Sequence, residues 1–558
     1  MCRHMNASNL CIALIACLLG GCAGTAPPTS TPIAVKVLAI NDFHGNLLPP
    51  LGGIRIKDPA QPTKTLNLAA GGAATLASAV AELRRKNPNH IFVAAGDLIG
   101  ASPLLSALFH DEPTIESLNL MGLEVSAVGN HEFDHGSAEL LRMQNGGCHP
   151  TDGCKGPQPF AGARFKYLAA STVVQASGKT LFPAVHVKHF EGVPVAFIGL
   201  TLKDTPTIVV PAGVAGLTFR DEAQTVNDLV PRLRAQGIEA IVVLVHEGGM
   251  PSGDYNECPA ISGPIVDIVK KLDKAVDLIV SGHTHRAYQC RIDGRLVTSA
   301  DKFGTLVTEI DLLLDRSSGD VISAAANNLI VQSDRFAPDA AQTQLIAAYQ
   351  QLAAPLARRV VARLNGALTR DENPAGEIPV GQVVADAQLA ATRDAQSGGA
   401  QLALMNPGGL RAALVPSAGG EVRYEDLFAV QPFYNNLVTL TLSGAQLLQV
   451  LEQQWLNQPR ARILQVSDGF GYTWDAAQPA GQRIVPGSVQ LDGKALDPAA
   501  PYRVTVNSFL AGGGDNFQAL KLGQDARTGM MDVDAFEQYL SSRTTPLPVT
   551  AQRIKRLN

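Results

Sequence analysis

The residues of this chain best suited to chemistry are its histidines: there are twelve, all at or before His285 in a sequence of 558 residues. Chemistry that depends on imidazole therefore belongs to the first half. The histidines recur with Asp and Asn in five short polar clusters: Asn41-Asp42-Phe43-His44-Gly45, Gly96-Asp97, Gly129-Asn130-His131-Glu132, His246-Glu247 and Gly282-His283-Thr284-His285. A mixed Asp, Asn and His donor set suits borderline divalent ions such as Zn, Mn or Fe(II), and the lack of cysteine in these clusters argues against a closed structural zinc site. One such residue at a strand end is ordinarily a cap or a turn residue; five clusters in the same register point to ligands that converge.

Convergence needs elements that aim all five at one place. Each cluster follows an apolar, β-branched-rich run, at 35–40, 91–95, 125–128, 241–245 and 278–281, and a sixth such run lies at 193–200. Runs of this kind separated by helical stretches predict buried strands of an α/β fold. In parallel α/β sheets the carboxyl ends of strands face one crevice, so side chains some 240 residues apart in sequence can meet there. Around 338–364 a helical stretch carries Leu345, Ile346, Tyr349 and Leu352 on one face, and Pro355 is expected to kink or break it. This stretch reads as a connector between two domains. Beyond it helices and strands alternate again, with Gly-rich turns at 406–410 and 511–515.

The N-terminus has the character of an address. An apolar run at 10–19 behind Arg3 is too short to span a bilayer and predicts a signal segment over 1–21. Leu19-Gly20-Gly21-Cys22 resembles a bacterial lipobox, which implies a lipid on Cys22 followed by a tether over 22–32; the alternative is an ordinary cleaved signal with an incidental cysteine. Among the remaining cysteines, Cys148 and Cys154 bracket a short Gly-rich loop, so the local pairing is Cys148 with Cys154 and Cys258 with Cys290. That pairing suits an exported, oxidising compartment; free buried thiols are the alternative. Composition excludes other classes: 46% hydrophobic and 17% charged residues rule out disorder, and a formal charge of -5 argues against binding a nucleic-acid polymer.

Together the first-half clusters resemble the calcineurin-like metallophosphoesterases. With Asn406-Pro407-Gly408-Gly409-Leu410-Arg411, Gln431-Pro432-Phe433-Tyr434-Asn435 and the 507–515 segment, the chain is similar to the bacterial 5'-nucleotidase family. The resemblance implies an α/β protein: a metallophosphoesterase β-sandwich flanked by helices over 33–335, a connecting helix over 336–364, and a second α/β substrate-binding domain over 365–555. It implies two divalent ions, Zn, Mn or similar. Asp42, His44, Asp97 and His285 would hold one, and Asn130, His246 and His283 the other, with Asp97 bridging. His131 would stabilise or protonate the leaving oxygen with Asp134 orienting it, while Glu132 and His135 would support the site from behind.

Carried into the second half, the resemblance makes Phe433 and Phe509 the clamp on a nucleotide base, Asp515 the acceptor for the sugar, Arg411 the phosphate cation, and Asn406 and Asn435 pocket residues. The glycines at 512–514 would let backbone approach the ligand closely. A further family arginine, just before the helix that begins near Gly381, is missing from 371–377, where only Arg370 stands upstream. The implied activity is hydrolysis of nucleoside 5'-monophosphates by a periplasmic or outer-membrane-anchored bacterial lipoprotein. The alternatives are a nucleotide-sugar or 2',3'-cyclic-nucleotide hydrolase on the same scaffold and, from another class, a non-catalytic surface binding protein. An intact ligand set argues against the last.

Overall fold

The computed structural model describes residues 31–458, 460–543 and 552–558, so the signal segment and Cys22 lie outside the described residues. The first domain is built on two six-stranded sheets. One runs Val321–Ile330, Leu306–Leu314, Ile33–Ile40, His90–Ala94, Val125–Ala127, Lys166–Leu168; the other runs Ala287–Ile292, Arg295–Ala300, Leu278–Ser281, Ala240–His246, Val193–Thr201, Val185–Phe190. The inner strands pair in parallel; antiparallel strands close both edges of the second sheet and one edge of the first, whose other edge strand, Lys166–Leu168, pairs in parallel.

Alternation along each strand explains the layering. Val35, Val37, Ile91 and Val93 meet Val195, Phe197, Val242 and Leu244 between the sheets. The intervening residues Leu38, Ile40, Phe92 and Ala94 face one helical layer, and Ile198, Leu200, Ile241 and Val243 face another. A strand apolar on both faces must be covered on both, so the order is helix, sheet, sheet, helix. All six expected strands are present within a residue or two of the apolar runs.

The helix Ala340–Ala357 starts at Asp339, whose side chain accepts from Gln342 N–H, and it continues two residues past Pro355 before ending. Proline removes one hydrogen bond of the ladder, which the last turn tolerates better than the middle would. The helix is fastened to the first domain: Gln342 exchanges hydrogen bonds with Ser117, and Tyr349 donates to Glu116 at 3.0 Å. The second domain has a five-stranded sheet, Gln465–Val466, Leu402–Met405, Pro501–Asn507, Asn436–Ser443, Gln524–Met531, and a smaller one in which Ile554–Leu557 pairs with Phe470–Asp475. That last strand reaches Leu557, two residues past the expected boundary at 555. Disulfides join Cys148 to Cys154 and Cys258 to Cys290. No helix among the described residues is long and apolar enough to cross a membrane.

Candidate functional site

The parallel strands end at one edge, and the polar clusters follow them directly. Asp42 comes two residues after Ile33–Ile40, Asp97 three after His90–Ala94, Asn130 three after Val125–Ala127, His246 closes Ala240–His246, and His283 comes two after Leu278–Ser281. Turning the chain so sharply at a strand end forces unusual backbone. Asp42, His44, Asp97, His283 and His285 all have φ between 46° and 69°. Non-glycine residues rarely adopt that region, and clusters of such strain mark functional sites. Gly96 (φ 83°) and Gly129 allow the loops to touch: a Cβ on Gly96 would lie 2.8 Å from His246 Nδ1, and one on Gly129 2.2 Å from Asp97 Oδ1.

The seven candidate ligands meet in two groups. In the first, His44 Nε2 lies 3.1 Å from His285 Nε2, 3.6 Å from Asp97 Oδ2 and 3.9 Å from Asp42 Oδ1, and His285 Nε2 lies 3.3 Å from Asp42 Oδ1. In the second, His246 Nε2 lies 3.0 Å from Asp97 Oδ2 and 3.2 Å from Asn130 Oδ1, which is 3.0 Å from His283 Nδ1. Oxygen and nitrogen donors about 2.1 Å from one ion stand about 3 to 4 Å apart, depending on the angle between them, so both groups fit a divalent cation. Asp97 Oδ2 faces both groups.

Electrostatics divide the four rings. Burial holds His44, His283 and His285 below the ordinary histidine range, His283 at about 3, which leaves neutral rings with lone pairs to donate. Burial would lower His246 too, but the Asp97 and Asp42 carboxylates raise it to about 10. Carbonyl oxygens fix the rings: His44 Nδ1 is 2.8 Å from Gly100 O, and His246 Nδ1 is 2.8 Å from Ala95 O. Such outer partners orient ligands.

His131 stands beside the first group, its ring centroid 5.0 Å from that of His44. Its Nδ1 donates to Asp134 Oδ2 at 2.8 Å, and its backbone N–H donates to Asp97 Oδ1 at 2.8 Å. Burial would lower its pKa, but the Asp134 and Asp97 charges prevail and raise it. Glu132 is buried and accepts from the N–H groups of Asp97, Leu98 and Gly129 at 2.7 to 2.9 Å, so one carboxylate holds two ligand loops. His135 is exposed. Asn41, to which the sequence gives no role, donates to Asp42 Oδ2 at 2.7 Å and to Asp301 O, and accepts from Ala300 N–H. Its position beside a ligand is the only sequence signal for that part.

The second domain reaches this site. The Phe433 ring stacks on His131, centroids 5.9 Å apart and planes 24° apart, and the Arg411 guanidinium lies 5.9 Å from the Phe433 centroid. Phe433 and Phe509 are half-buried. Asp515 is buried with φ 53°; its carboxylate pairs with Arg462 and accepts from Asn406 Nδ2 at 2.8 Å. Asn435 is also buried, and its Oδ1 accepts from Ser508 at 3.1 Å. A Cβ on Gly514 would lie 2.5 Å from the Phe509 ring, so Gly514 makes room for a side chain of its own domain; one on Gly512 would lie 3.4 Å from Pro211 of the first domain, an ordinary contact. A further group, His110, His149 and Asp152, lies apart from the site. Its imidazoles stack face to face at 3.9 Å and Lys155 occupies the Asp152 carboxylate, so a shared ion would stand out of both ring planes.

Two paired sheets with polar clusters at their carboxyl edges define a class, and the comparisons with known proteins agree with it. Residues 35–287 match the calcineurin-like phosphoesterase family and residues 360–522 the 5'-nucleotidase C-terminal domain. The chain belongs to the 5'-nucleotidase family of phosphoesterases, a calcineurin-like domain followed by a 5'-nucleotidase C-terminal domain. It is 30% identical over 580 residues to the cell wall protein Lmo0130 of Listeria monocytogenes, covering 98% of this chain and 71% of that one. It is 32% identical over 538 residues to the endonuclease YhcR of Bacillus subtilis, covering 95% of this chain but only 41% of the relative's length. Among solved structures, a 5'-nucleotidase precursor from Thermus thermophilus superposes with a TM-score of 0.76 at 27% identity, over 94% of this chain and all of that one.

Proposed function

We propose that this protein is an exported, metal-dependent 5'-nucleotidase that hydrolyses nucleoside 5'-monophosphates to nucleoside and phosphate, anchored by a lipid on Cys22. The observation that carries the reading is the meeting of Phe433 and Arg411 with His131 across the domain boundary, which sets an aromatic platform and a phosphate cation beside the candidate metal centre. Asp42, His44, Asp97 and His285 would hold one ion, and Asn130, His246 and His283 the second, with Asp97 shared. Bound there, two divalent ions supply activation of water and withdrawal of phosphoryl charge.

The chain's own groups do the rest. A carboxylate only accepts, so His131 presents Nδ1–H to Asp134 and directs Nε2 away from it. The Asp134 and Asp97 carboxylates favour its protonated form, from which Nε2 can pass a proton to the leaving oxygen. Arg411 neutralises the phosphoryl group, Phe433 and Phe509 stack the base, and Asp515, aided by Asn406 and Asn435, takes the sugar. A phosphate-release screen of the metal-loaded mature protein tests this against AMP, a nucleotide sugar and a 2',3'-cyclic nucleotide. The highest kcat/KM of the three is expected on AMP, with loss of turnover after chelation. Faster turnover of either of the others, or turnover that survives chelation, contradicts the reading.

A further inference from the structure

Two parallel neighbours in the second domain's sheet, Leu402–Met405 and Pro501–Asn507, bring Asn406 and Asn507 to the same sheet edge. Both asparagines are almost completely buried, and they link a chain of hydrogen bonds. Leu510 N–H donates to Asn507 Oδ1 at 2.9 Å, Asn507 Nδ2 donates to Asn406 Oδ1 at 3.0 Å, and Asn406 Nδ2 donates to Asp515 Oδ2 at 2.8 Å. The ends fix its direction. A backbone N–H only donates and an ionised carboxylate only accepts, so each amide between them has one orientation that satisfies both of its partners. Reversing either amide would set acceptor against acceptor and donor against donor in a buried place, which is costly.

The ends of the chain hold two parts of nucleoside recognition. Leu510 belongs to the short helix Ser508–Ala511, which Asn507 caps and which carries Phe509, the residue assigned to the base. Asp515 is the residue assigned to the sugar, and the Phe509 ring packs over Gly514 just before it. A base and its sugar are joined by one glycosidic bond at a fixed spacing. A stacking face and a sugar acceptor therefore serve one ligand together only when their own spacing is held before binding. Ser508 extends the control to the opposite face: its Oγ donates to Asn435 Oδ1 at 3.1 Å, and Asn435 lies in the loop that carries Phe433.

We propose that Asn507 is a positioning residue for the nucleoside: through one side chain it sets the Phe509 platform at a fixed place relative to Asp515, so that base and sugar are recognised as a unit. The inference rests on the 5'-nucleotidase reading. Asn507 needs no contact with substrate for this role. It acts through Phe509 on one side and through Asn406 and Asp515 on the other.

The test is steady-state kinetics of the metal-loaded enzyme on AMP and on an aryl phosphate, with equilibrium binding of adenosine, for wild type, Asn507→Ser and Asn507→Ala, each with and without Phe509→Ala. Serine keeps a cap for the helix but is too short to reach Asn406, whereas alanine loses both bonds; melting curves check that the variants fold. Each Asn507 variant should raise KM for AMP and Kd for adenosine by about fivefold or more, the effect of one hydrogen bond, with kcat and the aryl phosphate unchanged. Phe509→Ala should then cost less in either variant than in wild type, since a displaced platform has less to lose. The proposal is overturned if KM for AMP keeps its wild-type value, if both substrates lose alike, or if the effects of the two substitutions simply add. A wild type that leaves AMP intact overturns the 5'-nucleotidase reading itself, and this inference with it.

Discussion

At the metal centre Asp42, His44, Asp97 and His246 are completely or almost completely buried, and five of the seven candidate ligands have positive φ. At the nucleotide face Phe433 and Phe509 are half-buried and Arg411 is partly exposed. The first region accepts backbone strain to hold its donor atoms in a fixed arrangement; the second offers broad surfaces that tolerate small displacements. Reaction geometry demands the former, because catalysis at a metal pair depends on fixed coordination. Recognition by stacking permits the latter, since every base has a flat face and orientation is soft. Substitutions should therefore fail differently: at the metal centre on every substrate, at Phe433 and Phe509 only on substrates with a base.

The largest effect is expected from Asp97→Asn, which removes the one carboxylate that faces both ligand groups. Turnover of AMP and of an aryl phosphate should both fall by about a thousandfold, roughly 4 kcal/mol of transition-state stabilisation, while the fold persists. Near-wild-type phosphate release would break the assignment of Asp97 to both ions. No effect on either substrate is expected from the disulfides, which lie outside both regions. Peptide mapping of the exported protein without reduction should join Cys148 to Cys154 and Cys258 to Cys290. Four free thiols would contradict both the pairing and the compartment it implies.

The same comparison explains what the sequence could reveal. Parallel strands place their carboxyl ends together whatever the loop lengths, so apolar runs followed by Asp, Asn or His announce the metal centre without any knowledge of contacts. Antiparallel strands such as Leu306–Leu314 and Val321–Ile330 escape that reading because they run against the parallel set and carry no polar cluster at the shared edge. Asp515 shows what a motif leaves out: Arg462 and Asn406, which engage its carboxylate, come from distant segments of the chain. The glycines at 512–514 make a related point: a glycine run signals close approach but does not name what approaches, and at Gly514 the Phe509 ring of the same domain does.

The central claim is that chemistry belongs to the first domain and recognition of the base to the second, and Phe509→Ala tests it most directly because it removes a stacking face without touching a candidate ligand. Steady-state constants on AMP and on an aryl phosphate, for wild type and variant, give the answer. The account predicts that KM for AMP rises by between about fivefold and a hundredfold, the range that roughly 1 to 3 kcal/mol of stacking spans, while the aryl phosphate changes little. Equal losses on both substrates would make Phe509 a packing residue and put the base pocket elsewhere.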